Sequence, residues 1–217
     1  MTVLNQTMLF DMLETAANNI QNQVPHLNEL DSKTGDGDHG TTMLRVCHCI
    51  EESLSHAPKE TLSPEKLSKQ IQDIGWSIMC QDGGSAGMLI GNLFMGMGSA
   101  IQSNELSVYE AADAIRAGVE RVIQFSGAHQ GEKTMLDALI PAANTMQWDA
   151  EHGVELEDMF EHAADAAQSG AESTKQMIPT RGRAKNMGER AVGHVDPGAT
   201  SMALLFSSFN EAVHHIH

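Results

Sequence analysis

Apolar residues in this chain recur at the three- and four-residue spacing of a helix, and the runs that carry them are broken by five glycine-rich joints, at 35–40, 82–87, 127–131, 182–188 and 193–198. Helical spacing gathers apolar side chains on one face, where a half-buried strand would alternate them. Leu9, Leu13, Ala16, Ile20 and Val24 line a first helix that ends near Pro25. Thr41 to Leu54 forms a second. Ser63-Pro64 sets a cap ahead of proline at the first helical position and opens a helix through about Met79. Asp82 to Gly87 leads into a further one, and Ser107-Val108-Tyr109-Glu110 is a capping box whose helix runs to about Phe125. Thr134 to Met146 and Leu156 to Met177 add two more, and the last follows Pro197. The expected fold is an all-α antiparallel barrel or bundle of about eight helices. Residues 1–217 are expected to form a single domain, because glycine is spent at joints rather than in linkers. Several joints can then gather at one end and build a site from loops.

Charge narrows the classes of partner. Thirteen Lys and Arg stand against 29 Asp and Glu, a formal net charge of −16. A chain that tracked nucleic-acid phosphates would cluster its basic residues, so nucleic acid is not expected as a partner. Nor is an anionic membrane surface. The stretch Met88 to Met97, broken by glycine and Asn92, is too short to span a bilayer. No Lys or Arg precedes Lys33, so a signal peptide's basic start is lacking, and Cys47, Cys49 and Cys80 are too few for a disulfide framework. The expected location is the cytoplasm. The charge is also unevenly placed. Residues 134–174 hold nine acidic residues and no basic one, whereas Lys175, Arg181, Arg183, Lys185 and Arg190 crowd into 175–190 around Gly182 and Gly188. The first stretch reads as a solvated helix face, the second as a cationic loop able to close over an anion.

The densest chemistry lies in Asp31-Ser32-Lys33-Thr34-Gly35-Asp36-Gly37-Asp38-His39-Gly40-Thr41-Thr42. Asp36 and Asp38 flanking one glycine repel each other unless something positive sits between them. Three hard oxygen donors without cysteine favour Mg²⁺ over zinc. Gly40, Thr41 and Thr42 begin a helix, whose free N–H groups make an anion site. Metal ligands directly ahead of such a site point to a metal–phosphate complex. Asp82-Gly83-Gly84-Ser85-Ala86-Gly87 serves either ligand approach or helix packing, and Gly193-His194-Val195-Asp196-Pro197-Gly198 serves either a ligand or a helix cap. Cys47-His48-Cys49 reads as structural, since residues i and i+2 on a helix point apart. His214, His215 and His217 read as a frayed tail, and the 14 Met residues chiefly as core, with Met88, Met95 and Met97 candidates for the barrel interior.

Three motifs with similar residues do not fit. An EF-hand loop beginning at Asp36 needs glycine sixth and glutamate twelfth, where Thr41 and Cys47 stand. An aspartyl-nucleophile phosphatase would carry its Asp-x-Asp after a hydrophobic strand, and Asn28 to Gly35 are mostly polar. Gly127 to Thr134 nearly spells a P-loop, but Glu132 separates Gly131 from Lys133 and a helix precedes it.

Taken in order, Asp31, Asp36 and Asp38 with His39-Gly40-Thr41-Thr42, Gly83-Gly84-Ser85-Ala86-Gly87, Gly131-Glu132-Lys133-Thr134-Met135-Leu136-Asp137, Gly182-Arg183-Ala184, Gly188-Glu189-Arg190 and His194 to Gly198 resemble the nucleotide-binding domain of dihydroxyacetone kinases, in the form of the stand-alone ADP-binding, DhaL-type subunit. The resemblance covers essentially the whole chain. It implies an eight-helix antiparallel barrel with ADP or ATP at its mouth. Asp31, Asp36 and Asp38 would hold two Mg²⁺. His39, Gly40, Thr41, Thr42, Ser85 and Ala86 would contact phosphates or sugar, and Gly127 and Met135 would border the base. Asp196, Pro197 and Gly198 would complete the site. Arg183 would approach the nucleotide as the catalytic cation, with Lys185 or Lys133 as further candidates. The implied partners are a triose-binding (DhaK-type) subunit and a phosphohistidine (DhaM-type) donor that phosphorylates bound ADP, the phosphoryl group then passing to dihydroxyacetone. A kinase subunit for another short ketose using exchangeable ATP, or a nucleotide-sensing module without turnover, stays open, as does a homodimer.

Overall fold

A computed structural model of the chain describes residues 3–215, so His217 lies outside the described residues. Among these residues the architecture is eight long helices in a ring, with one short helix inserted between the first two. Helix α1 (Gln6–Asn22) is capped by the Asn5 side chain, which accepts the Met8 N–H at 3.0 Å. The short helix α2 (Val24–Ser32) corrects the sequence reading, in which the first helix simply ended near Pro25. Proline sits in the first turn of α2 and opens a helix there, because that turn has no use for its missing N–H. Val24 accordingly belongs to α2, not to the face of α1.

Helices α3 (His39–Ser55), α4 (Pro64–Met79) and α5 (Gly84–Ala100) follow. Helix α6 (Val108–Ser126) starts at the expected capping box, Ser107 and Glu110 each satisfying the other's backbone N–H. Helix α7 (Leu136–Glu151) contains Pro141, and α8 (Leu156–Ser173) stops short of the expected Met177. Thr174 ends α8, its hydroxyl turning back to the Ala171 carbonyl and accepting the Asp196 N–H, and a 3-10 turn over Thr174–Gln176 leads out. The glycine joint at 182–188 also proves partly helical, with 3-10 turns over Arg183–Ala191 interrupted at Gly188. Helix α9 (Pro197–His215) closes the chain. Two-residue strands that the periodicity does not announce, Leu4–Asn5 and Glu105–Leu106, pair antiparallel and pin the start of α1 to the α5–α6 joint.

The ring is read from the contacts. Each of α3 to α9 packs on the next, α1 packs on α3, and α9 returns to α1. Glycine permits the closest crossings: a Cβ at Gly75 of α4 would lie 2.6 Å from the Gly91 carbonyl of α5, and one at Gly91 would lie 2.7 Å from the Gly75 carbonyl. Phe94, Phe160, Phe206 and Phe209 are fully buried, the last three in edge-to-face contact, with Met12 and Met43 filling between helices. Met97 is buried, while Met88 and Met95 are half-buried. Cys47 and Cys49 point inward with His48 exposed between them, and all three cysteines are free thiols. On α8, Asp158, Glu161, Asp165 and Glu172 are exposed while Ala163, Ala167 and Ala171 are buried, which is a solvated acidic face over an apolar one. No helix among the described residues is long and apolar enough to cross a membrane.

Candidate functional site

Asp31 lies in the last turn of α2 and organises the loop that follows. Its Oδ2 accepts the backbone N–H groups of Asp38 at 2.9 Å and His39 at 3.2 Å, so one carboxylate caps α3 and folds residues 32–38 back on itself. Its backbone carbonyl accepts from Thr34 and Gly35. A side chain at Gly35 would collide with the Asp31 carboxylate, and Gly37 holds φ at +79°, so both glycines are required by this turn. The result is that one carboxylate oxygen from each of Asp31, Asp36 and Asp38 lies within 4.8 Å of the others. The guanidinium of Arg183 pairs with Asp36 and stands 3.9 Å from Asp38. Three hard anionic donors, two of them exposed, with no His or Cys in the set, fit a Mg²⁺-type ion.

Beside this cluster opens a cavity of about 530 Å³. The first residues of α3, α5, α7 and α9 all line it, so four helix N-termini converge there, each bringing the positive end of its dipole. This is how a chain of net charge −16 presents a surface suited to anions. One wall is apolar: Leu89 of α5, Val122 and Phe125 of α6, Ala128 and Leu136. Asp31, Asp36, Asp38, His39, Thr42, Ser85, Ala86, Met135, Arg183, Asp196, Pro197 and Gly198 line the same cavity, so the structure brings these sequence candidates together.

Three candidates stand elsewhere. Gly40 is a packing residue: a Cβ there would collide with the Val24 carbonyl and lie 2.8 Å from Asn28 Oδ1. Thr41 turns to the same neighbour, its N–H donating to Asn28 Oδ1 at 3.1 Å. Gly127 is the left-handed cap of α6 (φ +61°), and its neighbours Ser126 and Ala128 face the cavity instead. Of the further cations, Lys185 is exposed and off the cavity. Lys133 lines it but is buried, and its ammonium donates to the carbonyls of Thr174 and His194. It staples the α6–α7 joint to the segment before α9. Burial pulls its pKa below the usual lysine range, against the pull of Asp196 and Asp137.

His39 and Asp196 have displaced pKa values. Burial holds the His39 imidazole down to about 4, opposed by Asp31, so it is neutral at pH 7; its Nε2 is 2.9 Å from Ser201 Oγ on α9. Burial pushes the Asp196 carboxyl up to about 7, although its Oδ2 accepts the Ala199 N–H at 2.7 Å and so caps α9. Thr34, Arg45, Leu89, Val122 and Phe125, to which sequence reasoning assigns no role, also line the cavity. Arg45 was findable, lying one turn beyond Thr42 on the same face of α3. Leu89 and Val122 carry only the ordinary apolar period of core positions.

A family model described as the DAK2 domain matches residues 33–211. The chain is 34% identical over 187 residues to "PEP-dependent dihydroxyacetone kinase 1, ADP-binding subunit DhaL" of Listeria innocua, covering 86% of each. It is 30% identical over 203 residues to the ADP-binding subunit DhaL of the PEP-dependent dihydroxyacetone kinase of Escherichia coli, covering 93% of this chain and 94% of that one. Among solved structures it is similar to the dihydroxyacetone kinase of C. freundii in complex with AMP-PNP and Mg²⁺, with a TM-score of 0.74 and 27% identity. That similarity spans 95% of this chain but only 34% of the longer kinase.

Proposed function

The chain belongs to the DAK2 domain family, and on that premise we propose that it is the nucleotide-binding subunit of a dihydroxyacetone kinase, holding ADP with Mg²⁺ in the cavity at the helix N-termini. The observation that carries this reading is the convergence of three carboxylates on the rim of a cavity into which four helix N-termini point. Phosphoryl transfer asks a protein for positioning and charge neutralisation more than for a nucleophile. Asp31, Asp36 and Asp38 would hold two Mg²⁺, which when bound supply the positive charge that a polyphosphate needs. The N–H groups opening α5 orient phosphate oxygens, with Thr42 and Ser85 beside them. Leu89, Val122, Phe125 and Met135 exclude water from one wall and suit a base. Arg183, which lines the cavity beside the acidic cluster, is the candidate to neutralise the group in transfer.

The acceptor is presented by a separate triose-binding subunit of the DhaK type, and bound ADP is recharged by a phosphohistidine protein of the DhaM type. This is why the proposed domain, residues 1–217, needs no acceptor site of its own. The test mixes the chain with the triose-binding subunit and the phosphorylated donor protein and follows triose phosphate. Product formation that depends on this chain supports the proposal. Nucleotide bound without any turnover would instead assign it a sensing role.

A further inference from the structure

The segment between α8 and α9 crosses the mouth of the cavity and is fastened on both sides of the ring. Helices α3 and α7 are opposite members of that ring, with three helices between them in either direction. Arg183 holds the α3 side through Asp36 and Asp38. Two residues earlier, across Gly182 at φ +60°, the chain holds the α7 side. Arg181 Nε is 3.2 Å from Glu132 Oε2, and an Arg181 terminal nitrogen donates to the Gly127 carbonyl at 2.6 Å. Thr180 Oγ1 donates to Glu132 Oε1 at 3.0 Å, and the Thr180 N–H reaches the Glu132 carbonyl at 3.4 Å. Glu132 is itself held ready, since Oε2 accepts the His129 N–H at 2.8 Å. Residues 181–184 line the cavity they cross. A ligand in the cavity would lie beside a segment tied at both ends. Asp36 and Asp38 are also the proposed metal ligands, so Glu132 is the fastening that does not compete with the metal.

We propose that residues 180–183 are a strap over the bound nucleotide and that Glu132 is the positioning residue that latches it, setting the rate of nucleotide exchange. This rests on the nucleotide reading above and adds its regulation. A latched strap keeps ADP in place between recharging cycles; an open one lets free ATP compete for the site. Glu132 touches no reacting atom, so its effect falls on release and not on the transfer step.

The test loads the full chain with labelled ADP and Mg²⁺ and follows release into excess unlabelled ADP. Glu132→Ala removes one exposed ion pair and the Thr180 hydroxyl bond, for which an acceleration of roughly tenfold is expected. Glu132→Gln, which keeps an acceptor, should fall between that and wild type. Arg181→Gln tests the same bond from the strap side, and it stands in should Glu132→Ala fail to fold. The double variant should release ADP no faster than the faster single one, because both break one latch. Release at the wild-type rate from Glu132→Ala, or additive effects in the double variant, would overturn the latch. A wild-type chain that retains no nucleotide refutes the underlying reading, and the latch with it.

Discussion

Replacing Lys133 by methionine separates two roles that the sequence leaves joined. A lysine next to a glycine-rich joint invites a catalytic assignment, yet this side chain is buried and donates to two backbone carbonyls, those of Thr174 and His194. Each hydrogen bond from a charged donor contributes about 1.5–3 kcal/mol. Methionine keeps the length and adds apolar contact of about 1 kcal/mol, so the net loss is about 2–5 kcal/mol. The residue also sits at φ +62°, a conformation that costs any side chain about 1–2 kcal/mol and that the two bonds help to hold. In a domain of this size the loss corresponds to a fall in Tm of about 4–20 °C. Urea unfolding checks it, with the midpoint moving and the slope unchanged. At a temperature where the variant stays folded, triose phosphate production should remain within about fivefold of wild type, far less than the roughly hundredfold or greater effect of removing a group that stabilises the transition state. An unchanged midpoint together with a collapse in turnover would refute the structural assignment and return Lys133 to the chemistry.

Asp36→Asn removes one of the three converging carboxylates and should abolish ADP retention through purification; mass spectrometry showing the wild-type ADP content would exclude the metal assignment. Gly40→Ala drives a methyl group into the Val24 carbonyl and should cost about 1–3 kcal/mol of stability by urea unfolding. Lost ADP affinity with full stability would show instead that Gly40 serves the ligand. His162 donates from Nδ1 to the buried Asp149 carboxylate at 2.9 Å, which raises its pKa above the ordinary 6.5. A raised folded pKa stabilises fully below 6.5 and loses that contribution as pH rises through the raised value. The Tm of wild type should therefore fall further than that of His162→Gln between pH 6 and about pH 9, given an ordinary His pKa near 6.5, and parallel profiles would count against the pair.

Local signals were the legible ones. The capping box at Ser107 and the prolines at 64 and 197 carry their own geometry, so α4, α6 and α9 start where the sequence puts them. Pro25 shows the limit: proline can close one helix or open the next, and only packing of α2 on α3 and α9 decides. The end of α8 was illegible for a similar reason, because Thr174 is bound to Asp196, 22 residues away. At the site, Asp31, Asp36 and Asp38 could be grouped by eye because eight residues span them. Gly40 and Gly127 could not be sorted from ligand glycines, since close packing and left-handed caps select the same residue type. Phe125 was out of reach. Periodicity says which face a residue occupies and not that the face borders a cavity.

The four helix N-termini have a consequence for how such a protein can vary. The attraction of the mouth for anions resides in peptide units, which every residue except proline supplies alike. No single substitution of a side chain deletes it, and the outer surface can change sign without disturbing it. The chain shares its fold with a solved kinase at 27% identity and a TM-score of 0.74, and its own net charge is −16. What aims the helices at the mouth is a few residues such as Asp31, Gly35 and Gly37, and not what the helices carry outside.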